Sequence, residues 1–139
     1  MKKLALALSL TALFSTSSFA ADIKEFDLDC GDYMGLPVKI SVRKSSGRFA
    51  LEATYQGPSM SLYGTFLRGS ETNDFKGSSE VLNGISVYNF TSLESAFRGL
   101  VMERPQKIGQ KIDVAHLVAK TEDQTSGYEF NCKVKAPKK

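Results

Sequence analysis

The segment Tyr128-Glu129-Phe130-Asn131-Cys132-Lys133-Val134 alternates apolar and polar side chains without a break. A period of two is typical of a β-strand with one buried face, and Cys132 falls on the apolar phase. Near the start of the 139-residue chain, Phe26-Asp27-Leu28-Asp29-Cys30 repeats the pattern, again with the cysteine on the apolar phase. No other cysteine is present in the sequence. The two segments therefore predict a first and a last strand whose buried faces are joined by a disulfide.

The first twenty residues determine how the cysteine pair is interpreted. Two lysines at positions 2 and 3 precede the apolar run Leu4–Phe14, and Ser18-Phe19-Ala20 supplies small residues before a cleavage point. This order is typical of a bacterial secretory signal peptide. We expect residues 1–20 to be a signal peptide and residues 21–139 to form a single exported β-domain, either periplasmic or secreted. An even pair of cysteines in an oxidising compartment favours a disulfide.

The alternatives for the cysteine pair are a metal site and a redox couple. The sequence contains no C-x-x-C motif and a single histidine, which disfavours both. A bridge between Cys30 and Cys132 would close a loop of about 100 residues, worth on the order of 4.7 kcal/mol in the chain-entropy model. We therefore predict a structural disulfide.

Alternation recurs along most of the chain and predicts a mainly β fold. Beyond the first and last strands, further strands are predicted at Val38–Arg43, Phe49–Tyr55, Met60–Leu67, Ile85–Phe90, Leu100–Glu103 and Ile112–Val118. Turns are predicted at 44–47, 56–59 and 122–127, where glycine, proline and polar residues cluster.

Two segments break the alternation. Arg68–Ser79 is polar and glycine-containing apart from Phe75, and it is predicted to be a long surface loop. Thr91-Ser92-Leu93-Glu94 matches a capping box, which predicts one short helix at Ser92–Arg98 that ends before Gly99.

Seven to eight strands joined mostly by short turns indicate a small antiparallel β-barrel, with a two-sheet sandwich as the alternative. A disulfide between the first and last strands favours the barrel. Pairing those strands would also remove the exposed edges that promote aggregation.

Charge and motif content exclude several classes of partner. Without the two lysines at positions 2 and 3, the formal net charge falls from +3 to +1, and the signs are interspersed, so no nucleic-acid partner is predicted. No apolar stretch is long enough to be a membrane span. No glycine-rich phosphate motif is present, so no cofactor is predicted.

The candidate chemical groups are one histidine and an acidic cluster. His116 shares the apolar phase of its strand, which favours a structural interior histidine over a catalytic one, and no enzymatic activity is predicted. Asp27, Asp29 and Asp32 stand at spacings that would suit a cation, but Gly31 interrupts the order of a calcium loop. Solvated carboxylates are favoured, and a cation site stays an open alternative.

Four apolar or aromatic side chains are candidate contacts with a partner or ligand, in addition to His116. Tyr33, Met34 and Leu36 lie in a short segment that would either recognise a partner or fold over the barrel mouth. Phe75 would be either an exposed contact or a plug on the core.

Taken together, these features favour an exported non-catalytic binding domain that recognises a protein or a cell-envelope component. One alternative is a β-barrel carrier of a small apolar ligand, lined by Phe49, Leu51, Phe66 and His116. The other is an inhibitor of a secreted hydrolase, although a basic target such as a lysozyme would call for a more acidic surface than this composition gives.

Overall fold

The computed structural model describes residues 23–61, 64–95, 97–121 and 124–139. The predicted signal peptide and its cleavage point lie outside the described residues. Eight strands follow one another along the chain: β1 (Phe26–Tyr33), β2 (Leu36–Lys44), β3 (Leu51–Met60), β4 (Phe66–Leu82), β5 (Ile85–Ser92), β6 (Arg98–Glu103), β7 (Lys111–Thr121) and β8 (Gln124–Lys135). Each strand pairs antiparallel with its neighbours in sequence, and β8 pairs with β1. The fold is therefore a closed barrel, and not a two-sheet sandwich.

We name the two ends of the barrel by what they carry. The terminal end holds the start of β1, the end of β8 and the connections β2–β3, β4–β5 and β6–β7. The opposite end holds the connections β1–β2, β3–β4, β5–β6 and β7–β8.

The seam between β1 and β8 closes the barrel. Its ladder pairs Asp27–Asp29 with Lys133–Lys135, and the predicted disulfide between Cys30 and Cys132 is present next to it. Lys135 Nζ lies 3.0 Å from Asp29 Oδ2 across the same seam. The first-to-last bridge predicted from the alternation is thus confirmed.

Apolar side chains from all eight strands fill the interior. They are Phe26, Leu28, Val38, Ile40, Val42, Leu51, Ala53, Tyr55, Met60, Phe75, Tyr88, Phe90, Leu100, Met102, Ile112, Val114, Val118, Tyr128, Phe130, Cys132 and Val134. Their inward phase matches the period of two along each strand.

The predicted helix at Ser92–Arg98 is wrong: no helix occurs in the part of the chain that the structure describes. Ser92 Oγ does accept hydrogen bonds from the backbone N–H groups of Glu94 (3.2 Å) and Ser95 (3.3 Å), as a cap would. However, Ser92 is still paired with Phe75 of β4, and β6 begins at Arg98. Strand pairing on both sides therefore overrides a local signal too short to form a stable helix alone.

The predicted loop at Arg68–Ser79 is also wrong, because these residues belong to the 17-residue strand β4. Inward positions on β4 carry Glu71, Asn73 and Gly77 as well as Phe75, so the inward phase does not look apolar in sequence. At Gly77 a Cβ atom would overlap the carbonyl oxygen of Asn89 on β5. Glycine therefore permits the close approach of the two strands here, and does not mark a loop.

Some strand boundaries also differ from the prediction. The turn expected at 56–59 lies inside β3, which continues to Met60, and the β3–β4 connection follows it. The register shifts between Pro58 and Ser59, and this irregularity accommodates a proline within a strand. Strand β3 begins at Leu51, so Phe49 lies in the preceding connection, and β8 already begins at Gln124.

Candidate functional site

His116 lies on β7 inside the barrel and is completely buried. Its ring stacks against Tyr55, with centroids 4.3 Å apart, and against Tyr128 at 6.2 Å, while Phe75 meets it edge-on at 6.0 Å. Neither ring nitrogen has a hydrogen-bond partner among the described residues. Burial, assisted by the positive charge of Arg98, lowers the pKa of His116 to about 4. The imidazole is therefore neutral at pH 7 and behaves as one member of an aromatic stack.

The segment with Tyr33, Met34 and Leu36 lies at the opposite end. The Tyr33 ring packs against Tyr128 at 5.0 Å and against Phe66 at 6.2 Å. Tyr33 thus folds over the barrel mouth, one of the two arrangements expected from the sequence. Met34 is 72% exposed at the tip of the turn, and Leu36 is half-buried.

A hydrogen-bonded ion pair lies at the same end. Arg98 Nη1 lies 2.6 Å from Glu71 Oε1, and Arg98 Nη2 donates to the carbonyl of Met60 at 2.9 Å. The Ser59 hydroxyl donates a hydrogen bond to Glu71 Oε2. The backbone carbonyl of Ser59 accepts a hydrogen bond from the Tyr128 hydroxyl at 2.9 Å. Polar groups of β3, β4, β6 and β8 are therefore tied together at this end.

Phe75 and the four residues expected to line a carrier cavity do not form one site. Phe75 is fully buried in the interior, so it offers no surface to a partner. Phe49 and Leu51 lie at the terminal end, whereas Phe66 lies at the opposite end and His116 between them.

Two of the three carboxylates of the acidic cluster, those of Asp27 and Asp29, are partnered by cations. Asp27 lies 2.8 Å from Arg43 Nη2 and accepts a hydrogen bond from the Lys138 N–H at 2.9 Å. Burial raises the pKa of Asp27, but these hydrogen bonds and the positive charge outweigh it and lower the pKa overall. The pKa of Asp29 is lowered by the N–H of Gly31 and by Lys135. Within the described residues, no three His, Cys, Asp or Glu side chains are grouped to hold a metal ion.

An open groove lies on the outer wall, and none of the candidate contact residues predicted from the sequence lines it. It encloses about 580 Å³ beneath the tip of the β4–β5 hairpin, along β5, β6, β7 and β8. Its apolar lining includes Leu82, Ile85, Val87, Val101 and Ala115.

The hairpin tip exposes an unusual amount of apolar surface. Val81 is 68%, Leu82 41% and Ile85 57% exposed. Asn83 and Gly84 form the two-residue turn between them, both with positive φ, which is the conformation of a type I′ hairpin. The tip is therefore a well-defined turn that presents apolar side chains to solvent.

Three carboxylates surround this apolar surface. Glu103, Asp113 and Glu129 line the groove, and no lysine or arginine in the described part of the chain does. Asp113 accepts a hydrogen bond from Asn131 Nδ2 at 3.0 Å. None of the three carboxylates forms an ion pair with another described residue. We name this surface the acidic groove.

One sequence signal for the acidic groove exists. In Ile85-Ser86-Val87-Tyr88-Asn89-Phe90 both phases carry apolar residues, and the outward-phase Val87 is buried beneath the hairpin. Val101 and Ala115 are likewise outward-facing and are paired with each other across β6 and β7. Apolar residues on the outward phase of adjacent strands indicate a covered or binding surface.

Comparison with protein-family models, with curated proteins and with solved structures finds no match to this chain. Over the described residues, the structure contains no helix with the length and apolarity needed to cross a membrane.

Proposed function

We propose that this protein is an exported, non-catalytic binding domain that recognises a partner protein through the acidic groove. The observation that supports this function best is the coincidence, in one groove, of exposed apolar side chains with carboxylates that form no ion pair with another described residue. Contiguous apolar surface rimmed by polar groups is typical of protein–protein interaction sites.

Burial of the hairpin tip provides the driving force for association. Fully burying a Leu or Ile side chain contributes about 1.5–3 kcal/mol relative to leaving it exposed. Val81, Leu82 and Ile85 are all substantially exposed. An occupant that covers all three side chains therefore gains several such burial free energies, which offset the entropy lost on association.

The charge of the groove selects the occupant. Glu103, Asp113 and Glu129 would repel an acidic segment and attract lysine or arginine side chains. The expected occupant is a partner-protein segment with apolar side chains flanked by basic ones. A basic secreted hydrolase fits this description, so an inhibitor is one form of the proposed function. The near-zero net charge of the domain does not oppose this, because the relevant charge is local.

Short labelled peptides test the chemistry directly by fluorescence anisotropy. We expect the peptide Lys-Leu-Lys-Leu-Lys to bind more tightly than Glu-Leu-Glu-Leu-Glu or Lys-Ser-Lys-Ser-Lys, since only the first supplies both features. The variants Leu82→Ser and Ile85→Ser should each weaken binding about tenfold, the equivalent of about 1.4 kcal/mol. Met34→Ser is the control at the opposite end: it removes an exposed side chain that the sequence offers as a rival candidate contact, and it should bind normally if the acidic groove is the binding surface.

Three results would reject the proposal. The first is equal binding of all three peptides, and the second is equal loss in the Met34→Ser control and the groove variants. The third is concentration-dependent dimerisation in sedimentation that Ile85→Ser abolishes, because the occupant would then be a second copy of this chain.

A further inference from the structure

A second concave site, of opposite charge, lies at the terminal end. It encloses about 520 Å³ between the segment preceding β1, the β2–β3 connection and the ends of β4, β5 and β6. Lys24, Lys44 and Arg104 line it, and none of the described aspartates and glutamates does. We name this site the basic pocket. Tyr88 faces it whereas the adjacent Val87 faces the acidic groove, so the two sites lie on opposite sides of β5 and are independent of each other.

Aromatic and aliphatic side chains form the apolar part of the basic pocket. Leu51 and Tyr88 are almost completely buried and close the interior at this end. The Tyr88 hydroxyl donates to the carbonyl of Ile23 at 2.9 Å, which fixes the ring in place. Phe49, 39% exposed, forms a wall. The pocket thus presents rigid apolar surface below and beside its cations.

Two of the three cations that line the basic pocket have no ion pair among the described residues. Lys24 and Lys44 form no ion pair with another described residue, in contrast to Arg43, Arg98 and Lys135, which all do. Cations gathered in a concave site with low-dielectric walls focus their field on that site and concentrate anions there. The nearby Lys76 is paired with Glu52 at 3.3 Å, outside the lining.

The cations also contact the aromatic rings. The Arg104 guanidinium carbon lies 5.9 Å from the centroid of the Tyr88 ring. Arg48 does not line the pocket, but its guanidinium carbon lies 5.1 Å from the ring centroid of Phe49, which does. These cation–π contacts hold positive charge next to apolar surface, and an occupant can therefore meet both at once.

We propose that the basic pocket binds a monomeric anionic amphiphile, with a carboxylate or phosphate head held by Lys24 and Lys44 and an apolar tail against Phe49, Leu51 and Tyr88. Its volume lies within the range of roughly 300–1,000 Å³ found for small-molecule sites. This activity goes beyond recognition of a protein by the acidic groove. It also differs from a carrier with a hollow interior, because the ligand occupies the mouth of a barrel whose interior is packed.

Isothermal titration with ten-carbon compounds that differ in the head group, and with inorganic phosphate, separates the requirement for a charged head from the requirement for an apolar tail. We expect decyl phosphate and decanoate, both below the concentrations at which they aggregate, to bind with one-to-one stoichiometry. Decanol lacks the charge and inorganic phosphate lacks the tail, so each should bind at least tenfold more weakly. Raising the ionic strength should weaken the binding of decyl phosphate.

Substitutions locate the site. Lys44→Gln and Lys24→Gln should each weaken the binding of decyl phosphate about tenfold, since each removes a charged contact. Phe49→Ser should weaken the binding of decyl phosphate by a similar factor. Lys133→Gln makes the same change of charge at an exposed position on β8 and should leave the affinity unchanged. The acidic-groove variant Ile85→Ser should bind decyl phosphate normally. The two sites can therefore be tested separately, and a negative result for the basic pocket would not count against the proposed function of the acidic groove.

The proposal is overturned if decanol binds as tightly as decyl phosphate, or if Lys133→Gln lowers the affinity as much as Lys44→Gln does. It is equally overturned if the protein binds vesicles that contain phosphatidylglycerol but not decyl phosphate. That result would assign the lysines to an extended membrane surface and not to a pocket for a single molecule.

Discussion

Reduction of the Cys30–Cys132 disulfide should open the barrel at the seam between β1 and β8 before the rest of the fold is lost. The ladder at this seam covers only Asp27–Asp29 and Lys133–Lys135, whereas β3 and β4 pair along almost the whole length of β3. Among the described strands, the seam is also the one ladder that pairs strands distant in sequence, so its closure costs more chain entropy than any hairpin does.

The size of the effect follows from the loop that the bond closes. The two cysteines are 102 residues apart, for which the chain-entropy model gives about 4.7 kcal/mol at 25 °C. Measured effects are commonly smaller, so we expect reduction to lower the free energy of unfolding by about 3 kcal/mol. A domain is stable by roughly 5–15 kcal/mol, so the folded state should survive reduction but with a much smaller margin.

Urea denaturation of the oxidised protein and of the same protein in dithiothreitol measures the difference directly. The double variant Cys30→Ala/Cys132→Ala is the control, because its stability should not respond to dithiothreitol. Hydrogen exchange followed by mass spectrometry should show faster exchange in β1 and β8 of the reduced protein, with β3 and β4 still protected. A loss below 1 kcal/mol, or faster exchange that begins in β3 and β4, would refute this account of the seam.

Other predictions concern the interior and the strand pairs. The pKa of His116 falls from 6.5 to about 4 on folding, so the unfolded chain binds the extra proton between these pH values. The free energy of unfolding should therefore decrease as the pH falls through this window, by about 3 kcal/mol at pH 4, and urea titrations of His116→Phe should lack this component. In Gly127→Ala the new Cβ would overlap the carbonyl oxygen of His116, so thermal unfolding should reveal a loss of about 2 kcal/mol. Gly99→Ala, where the nearest atom is 3.5 Å from the added Cβ, should be close to neutral. Glu71→Gln leaves the half-buried Arg98 without its counter-ion and should cost about 3 kcal/mol. The double variant Glu71→Gln/Arg98→Met should recover part of that loss in urea denaturation, and full additivity would contradict the pairing.

Strands could be predicted where the inward phase is apolar and the outward phase polar. This holds for β1, β2, β7 and β8, whose alternation follows directly from one packed face and one solvated face. It fails for β4, because Glu71 faces inward to pair with Arg98 of β6 and Gly77 faces inward to admit β5. Both features depend on residues of other strands, so the local sequence of β4 gives no sign of them.

The apolar residues on both phases of β5 indicate part of the acidic groove, but the complete lining of the groove and of the basic pocket could not be predicted from the sequence for a related reason. Each depends on residues from several strands, and only the register of the closed barrel brings Val87, Val101 and Ala115 onto one wall. Lys24, Lys44 and Arg104 meet at one end in the same way. Three carboxylates and three cations that are dispersed along the chain therefore gather, after folding, in two sites of opposite sign.

Closure of the barrel also places the two ends of the described chain side by side, since the Lys138 N–H donates to Asp27 at 2.9 Å. A short linker could therefore join them, and new ends could be opened at the Met34–Gly35 turn. In such a circular permutant β8 would run directly into β1, and the two cysteines would be separated by only a short hairpin. The crosslink would then close a loop of about 20 residues in place of about 100. Because loop entropy grows only with the logarithm of length, its contribution should fall by only about 1.4 kcal/mol, and the permutant should stay sensitive to reducing agents.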